Sequence, residues 1–462
     1  MLCRDRAMTM GCVSVPGSAA IALGGAGTWF WRVQAMVGGA MMSSAVWEFF
    51  ISNNTSATDL ANANAFGPSF LDVNGDGLAD VFVAGNPTAG ANRGQVNVYL
   101  GRPGGPSMTP SMQLDGPDGP GGLFGASIAS AGDLNGDGFG DVVIGAPGAS
   151  RAHVYLGRAA GIPLSPDVSL SAATEPTGLG TGVAGIGDID DDGYGDLAVG
   201  SPLANGGRGR IHLYTGASTG VFGIVNDTIE SPNVTDHAFG QSIASLGDWT
   251  GDGLADFAVA APATTTGEIF IFAGLHGGLP TTVATTITRA GMTNFGLTIA
   301  AGGDIDNDGH WDLLAGCSDN VLMTTFAGNE SSLGVSLPSV ASVGDINGDG
   351  FADWAYSDPT SAMNSGRVRA EPGSSGSSLS TLVTIVGTDG TASNFGSSMA
   401  NAGDVDGNGY LDLLIGESLA MGATATQAHA YLFMATAGGL TGTTSFAFSG
   451  GTADPGFGHP VQ

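Results

Sequence analysis

An all-β chain assembled from repeated units is what this sequence predicts, and three observations carry the prediction. A nine-residue acidic loop returns seven times, 80 of the 462 residues are Gly, and short apolar runs parted by Gly and Pro surround each loop. That much Gly breaks long helices but suits turn-rich β structure. The loop reads Asp-x-(Asp/Asn/Thr)-x-(Asp/Asn)-Gly-x-x-Asp, and its copies occupy 72–80, 133–141, 188–196, 248–256, 304–312, 345–353 and 404–412. Successive first Asp residues stand 61, 55, 60, 56, 41 and 59 positions apart, so one supersecondary unit recurs with a period near 60.

Within a unit the elements keep one order. A segment of small residues leads into the loop, as at 124–133 and 239–248. A short run leaves it that is apolar at every position, as at 142–144, 197–199, 257–259 and 413–415, which fits a strand covered on both faces. After a Gly/Pro turn comes an alternating strand at 96–100, 211–214 or 269–272, and a Thr-rich run such as 283–288 closes the unit. Four short strands per unit make one blade of a propeller. The expected fold is therefore all-β, a single seven-bladed β-propeller of four-stranded blades over 46–462, with metal-binding hairpin loops. The fifth unit is short, Asp345 standing only 33 positions after Asp312, and is expected to lack its outer strand or keep a very short one between Gly328 and Pro338.

The loops carry the chemistry. Oxygen side chains fall at positions 1, 3, 5 and 9: Asp72, Asn74, Asp76 and Asp80; Asp133, Asn135, Asp137 and Asp141; Asp188, Asp190, Asp192 and Asp196; Asp248, Thr250, Asp252 and Asp256; Asp304, Asp306, Asp308 and Asp312; Asp345, Asn347, Asp349 and Asp353; Asp404, Asp406, Asn408 and Asp412. Alternate oxygens on a tight loop converge on one point, and the Gly at position 6 permits the sharp turn. A hard divalent cation, Ca2+, suits such a set, up to seven ions in all. An EF-hand would need a twelve-residue loop ending in Glu between helices. An ordinary Asp-Gly hairpin turn binds nothing, but four aligned oxygen positions in seven copies weigh against that reading.

The net charge of −30 is largely a property of these loops, whose ligand positions hold 23 of the 42 acidic residues. It argues against nucleic acid or an anionic membrane as partner. All twelve basic residues are Arg, and three Cys make no disulfide framework. Residues 1–45 read as a leader, either a signal peptide or a disordered segment: Arg4 and Arg6 precede an apolar stretch, and Ser43 and Ala45 suit cleavage. No uncharged apolar run reaches 18 residues, so no transmembrane span is expected.

At this point the chain resembles the FG-GAP repeat of integrin alpha-subunit propellers and of many bacterial secreted proteins. The first signature stands as Phe66-Gly67, Phe124-Gly125, Phe239-Gly240, Phe295-Gly296 and Phe395-Gly396, and the second best as Gly145-Ala146-Pro147. Leu179-Gly180 and Ser336-Leu337 replace the first signature in the third and sixth units, and Phe457-Gly458 looks like the start of another repeat. The resemblance implies that the loop oxygens are calcium ligands and that position 7 adds its backbone carbonyl: Leu78, Phe139, Tyr194, Leu254, His310, Phe351 and Tyr410.

It also implies a secreted or surface-displayed adhesion module for a protein or glycan, held on the face opposite the calcium loops. Arg93, Arg151, Arg208 and Arg367 lie in the connections of that face. The alternatives are a propeller enzyme acting on polysaccharide or phospholipid, and a scaffold propeller with no ligand of its own. No catalytic residue is assigned. Gly216-Ala217-Ser218-Thr219-Gly220 matches a nucleophile pattern but sits at a hairpin that recurs in other units, and the 180–185 Gly motif leads into a metal loop instead of a helix.

Overall fold

A computed structural model describes residues 71–461 apart from short stretches, of which 375–381 and 419–426 are the longest, together with the backbone of five short strands between Leu2 and Ile51. Phe66, Gly67, Asp308, Gly309, Gly350 and the pair at 336–337 lie outside the described residues. Within the first 51 residues Gly27–Trp31 pairs antiparallel with Trp47–Ile51. Among the described residues no helix is long and apolar enough to cross a membrane.

The second blade shows how each unit is built. Ser127–Gly132, Asp141–Ala146, Arg151–Tyr155 and Val168–Ser171 form an antiparallel sheet in chain order. The last Asp of the acidic loop is the first residue of the second strand, and all six residues of that strand are buried. The outer strand meets solvent on one face, so Leu170 is buried between exposed Ser169 and Ser171. At the end of the first strand a bulge turns the chain into the loop. The Gly there takes a positive φ in all six four-stranded blades: Gly132, Gly187, Gly247, Gly303, Gly344 and Gly403.

Among the described residues there are six four-stranded blades, which corrects the expected seven. The sheet at the start of the ring has three strands, Val81–Gly85, Gln95–Tyr99 and Met112–Asp115. Among the described residues its inner edge is met by Gly458, Pro460 and Val461. Gly458 N–H donates to Ala84 O at 2.9 Å, Ala84 N–H donates to Pro460 O at 3.1 Å, and Val83 bridges Val461. The bond from Gly458 repeats one made inside the other units, where Gly125, Gly180 and Gly240 donate to Gly145, Gly200 and Ala260. Phe457-Gly458 thus packs against the first sheet. Among the described residues it lies along the inner edge of the first sheet.

Packing closes the ring. Each apolar cluster joins two neighbouring sheets, and one gathers Val81, Val83 and Tyr99 of the first with Leu414, Leu432 and Phe448 of the last, plus Phe457 and Val461. The described signature Phe residues are all in such clusters; Phe239 and Phe295 have no exposed surface, and Leu179 takes the same place with none. The fifth blade keeps an outer strand, Glu330–Ser332, of three residues where each other blade has four. The short interval removes length from this strand and from the link after it.

Phe457 is 1% exposed, so Phe457→Ala removes a fully buried ring and should destabilise the chain by about 3–5 kcal/mol. Denaturant unfolding checks this. A midpoint within error of the parent would show that the terminal segment does not hold the ring closed.

Candidate metal centres

The acidic loops join first to second strands and so share one face of the ring. The loop at 188–196 shows their construction. Asp188 turns back on its own loop, accepting from Asp192 N–H at 3.1 Å through Oδ1 and from Gly193 N–H at 2.8 Å through Oδ2. Asp192 Oδ1 accepts from Tyr194 N–H at 3.0 Å. These bonds wrap the backbone so that side chains at alternate positions point inward. Carboxylate oxygens of Asp188, Asp190 and Asp196 lie within 4.8 Å of one another. Oxygens around one Ca2+, each about 2.3–2.6 Å from it, stand no farther apart than roughly twice that distance. Among the described residues Asp190 Oδ1 is buried with no hydrogen-bond partner, which is the state of an oxygen positioned for a cation. The donor set fits a hard divalent ion.

The same gathering occurs for Asp304, Asp306 and Asp312, and for Asp404, Asp406 and Asp412. The loops with Asn at position 3 are arranged differently. Asn74, Asn135 and Asn347 each donate from Nδ2 to a carboxylate oxygen of Asp76, Asp137 or Asp349, at 2.9–3.0 Å, and accept that residue's N–H. The amide occupies the fifth-position carboxylate, so these loops close on themselves. In the loop at 248–256 the N–H reaching the last Asp comes from Thr250, 2.7 Å from Asp256 Oδ2, where the other loops use position 2. His310, at position 7 of its loop, is placed beside Gly251 of the preceding one.

Sequence reading gave the ninth Asp one role; the structure gives it a second. Asp141 Oδ2 accepts from Leu134 N–H and Oδ1 from Gly157 N–H, both at 2.8 Å. Gly157 opens the next hairpin on the same face. Asp80 with Gly101, Asp196 with Gly216, Asp256 with Gly274, Asp353 with Gly373 and Asp412 with Ala435 repeat the bond at 2.8–3.0 Å. One buried carboxylate thus ties two hairpins of a blade together. The first Asp ties blades to each other: Asp72, Asp133, Asp304 and Asp404 accept through their carbonyls from Gly140, Gly195, Ala352 and Ala79 of the next unit.

These carboxylates are difficult to ionise without a cation. Burial, reinforced by neighbouring carboxylates, raises Asp80, Asp141 and Asp412 well above the ordinary range, Asp196 and Asp353 to about 8, and Asp256 and Asp404 to about 6. A group whose pKa is raised on folding contributes stability that is complete below its unfolded value and is lost as pH rises through the folded one. The metal-free protein is thus expected to lose thermal stability steadily from about pH 4 to about pH 8. Calcium should flatten that slope by holding the carboxylates ionised. Thermal midpoints across this range, with and without chelator, check it; a metal-free midpoint that rises with pH contradicts it.

On the opposite face Arg151 pairs with Asp118 at 3.1 Å and Arg367 with Asp358 at 2.8 Å, whereas Arg93 is exposed. Part of the charge that sequence reading reserved for a ligand is therefore spent within the chain. Sequence reading missed one polar chain, Asp118–His153–Ser169. Its only advance signal was a His in the third strand at the same register in two blades, His153 and His212.

A family model described as FG-GAP-like repeat matches residues 72–144, and one described as FG-GAP repeat matches 179–214 and 395–431. The chain is similar to integrin alpha-V of Gallus gallus, 28% identical over 283 residues, covering 54% of this chain and 26% of that protein. It is also similar to integrin alpha-7 of Homo sapiens, 35% identical over 196 residues (40% and 16% of the two chains), and to integrin alpha-IIb of Mus musculus, 39% identical over 158 residues (30% and 15%). It spans about a quarter or less of the length of these relatives.

Proposed function

We propose, from the premise that this chain is an FG-GAP-repeat propeller similar to those of integrin alpha subunits, that it is a calcium-stabilised binding module displayed outside the cell. The observation that carries the reading is the gathering of three carboxylates in hairpin loops that also tie the blades together. The loop oxygens at positions 1, 3, 5 and 9, with the carbonyl at position 7, hold Ca2+. The loops at 188, 304 and 404 fill first, and those with Asn or Thr at position 3 fill at higher calcium. The ion neutralises buried carboxylates and fixes the turns. It has no substrate, because the ligand set is internal to the hairpin.

The ligand is a protein or glycan docked on the face opposite the loops, where the connections after each second strand vary most in length. Its chemistry is acidic, read by the Arg residues of that face through bidentate contacts. Residues 1–45 are the secretion leader and 46–462 the binding domain. A protein and glycan array read in calcium and in chelator tests the proposal. Binding should require calcium and should weaken with Arg93→Ala, while Arg158→Ala on the loop face leaves it unchanged. An Arg158→Ala loss with an unaffected Arg93→Ala would place the ligand on the loop face.

A further inference from the structure

We propose that Ser169 is a nucleophile for acyl transfer from short-chain esters, with His153 as its general base and Asp118 as the residue that orients the base. Ser169 lies on the exposed outer strand of the second blade, directly across from His153 on the third strand. His153 Nδ1 is 2.9 Å from Ser169 Oγ, and its Nε2 is 2.7 Å from Asp118 Oδ2. The imidazole is fully buried and the Asp118 side chain is 8% exposed, so the nucleophile alone faces solvent.

The hydrogen-bond direction follows from valence. A carboxylate can only accept, so Nε2 carries the proton of the neutral imidazole and donates it to Asp118. Nδ1 is then the acceptor, and the Ser169 hydroxyl must donate to it. Arg151 donates to the other oxygen of Asp118 at 3.1 Å and holds that group in place. Burial lowers the pKa of His153 in spite of the Asp118 charge, so the base is unprotonated at neutral pH.

In the step itself, the Ser169 Oγ–carbon bond forms as its proton passes to His153 Nδ1. The tetrahedral intermediate then collapses, the ester C–O bond breaks, and the departing alcohol takes that proton. Water repeats the sequence in reverse, releasing the acid and restoring the serine. Asp118 balances the transient imidazolium charge throughout.

The third blade supplies an internal comparison. Thr228 faces His212 there at 3.3 Å, but His212 Nε2 is buried with no partner among the described residues. The hydroxyl–imidazole pair recurs, and the carboxylate is what distinguishes the second blade. Ser171 gives a second comparison. It is exposed, two residues along the same strand, and lies across from Arg151 instead of a base.

The test is labelling of the full calcium-loaded chain with a fluorophosphonate probe, with the modified residue located by peptide mass spectrometry. Ser169 should be labelled, and Ser171 and Thr228 should not. Ser169→Ala should abolish labelling, and Asp118→Asn should slow it by at least about 100-fold. The labelling rate should fall only in acid, below the usual imidazole range, where His153 takes up a proton. No labelling of Ser169, or equal labelling of Ser169 and Ser171, overturns the proposal without recourse to any variant. An unchanged rate in a folded Asp118→Asn protein overturns the role of the carboxylate.

Discussion

Removing calcium with a chelator is expected to lower the thermal midpoint of this protein by on the order of 10 °C, with restoration by Ca2+ and not by equimolar Mg2+. Extracellular calcium modules bind at about 10⁻⁴ to 10⁻³ M, so near-millimolar Ca2+ adds roughly 0.5–1.5 kcal/mol per site by mass action. Seven such sites would contribute roughly 3.5–10 kcal/mol, comparable with the net stability of a domain. Mg2+ demands a rigid octahedral shell and keeps its waters, which a loop of flexible carboxylates and a carbonyl does not match. The effect should be carried unevenly. Asp190→Ala removes the unpartnered oxygen of a gathered site and should reduce the calcium response more than Asn135→Ala, whose amide is already engaged within its loop. Calorimetric scans of both variants with and without chelator measure this. A chelated midpoint equal to that in calcium would show that the loops are ordinary turns.

The parts of this architecture that were legible in the sequence are those fixed by local spacing. Asp and Gly at set positions define the loop wherever it occurs, and the all-apolar runs after each loop mark strands covered on both faces, as in Asp256–Ala261. The Phe-Gly pairs at 124, 239, 295 and 395 mark the buried start of their units for the same reason. What sequence could not show depends on partners far along the chain. Phe457-Gly458 carries the right signature, but only the closed ring reveals that it belongs to the first sheet, some 370 residues earlier.

Side-chain chemistry was legible to a similar degree. The loop oxygens could be named, but which loops gather them turns on whether position 3 is a carboxylate or an amide. An amide also donates, and it closes Asn74 onto Asp76. The Asp118–His153–Ser169 chain joins an inter-blade link to two strands of the next blade, with 35 and 16 residues between partners. No periodic signal spans such distances.

Replacing the ninth Asp of a loop should be among the most damaging single changes, and Asp141 is the sharpest case. Its carboxylate is fully buried and accepts one N–H from each of two hairpins at 2.8 Å. Asp141→Ala leaves both donors buried without acceptors, at about 1–3 kcal/mol each, and removes a proposed metal ligand as well. The expected loss is roughly 3–6 kcal/mol in calcium. Asp141→Asn separates the two contributions. The amide keeps the shape and one acceptor oxygen but carries no charge. In chelator that change also relieves an ionisable group whose pKa burial pushes well above its usual value. Asp141→Asn should therefore be strongly destabilising in calcium and nearly neutral in chelator, whereas Asp141→Ala should be destabilising in both. Denaturant unfolding of the two variants under both conditions gives the four values required. Equal losses for Asp141→Asn with and without calcium would reduce the residue to a tie between hairpins and remove it from the metal site.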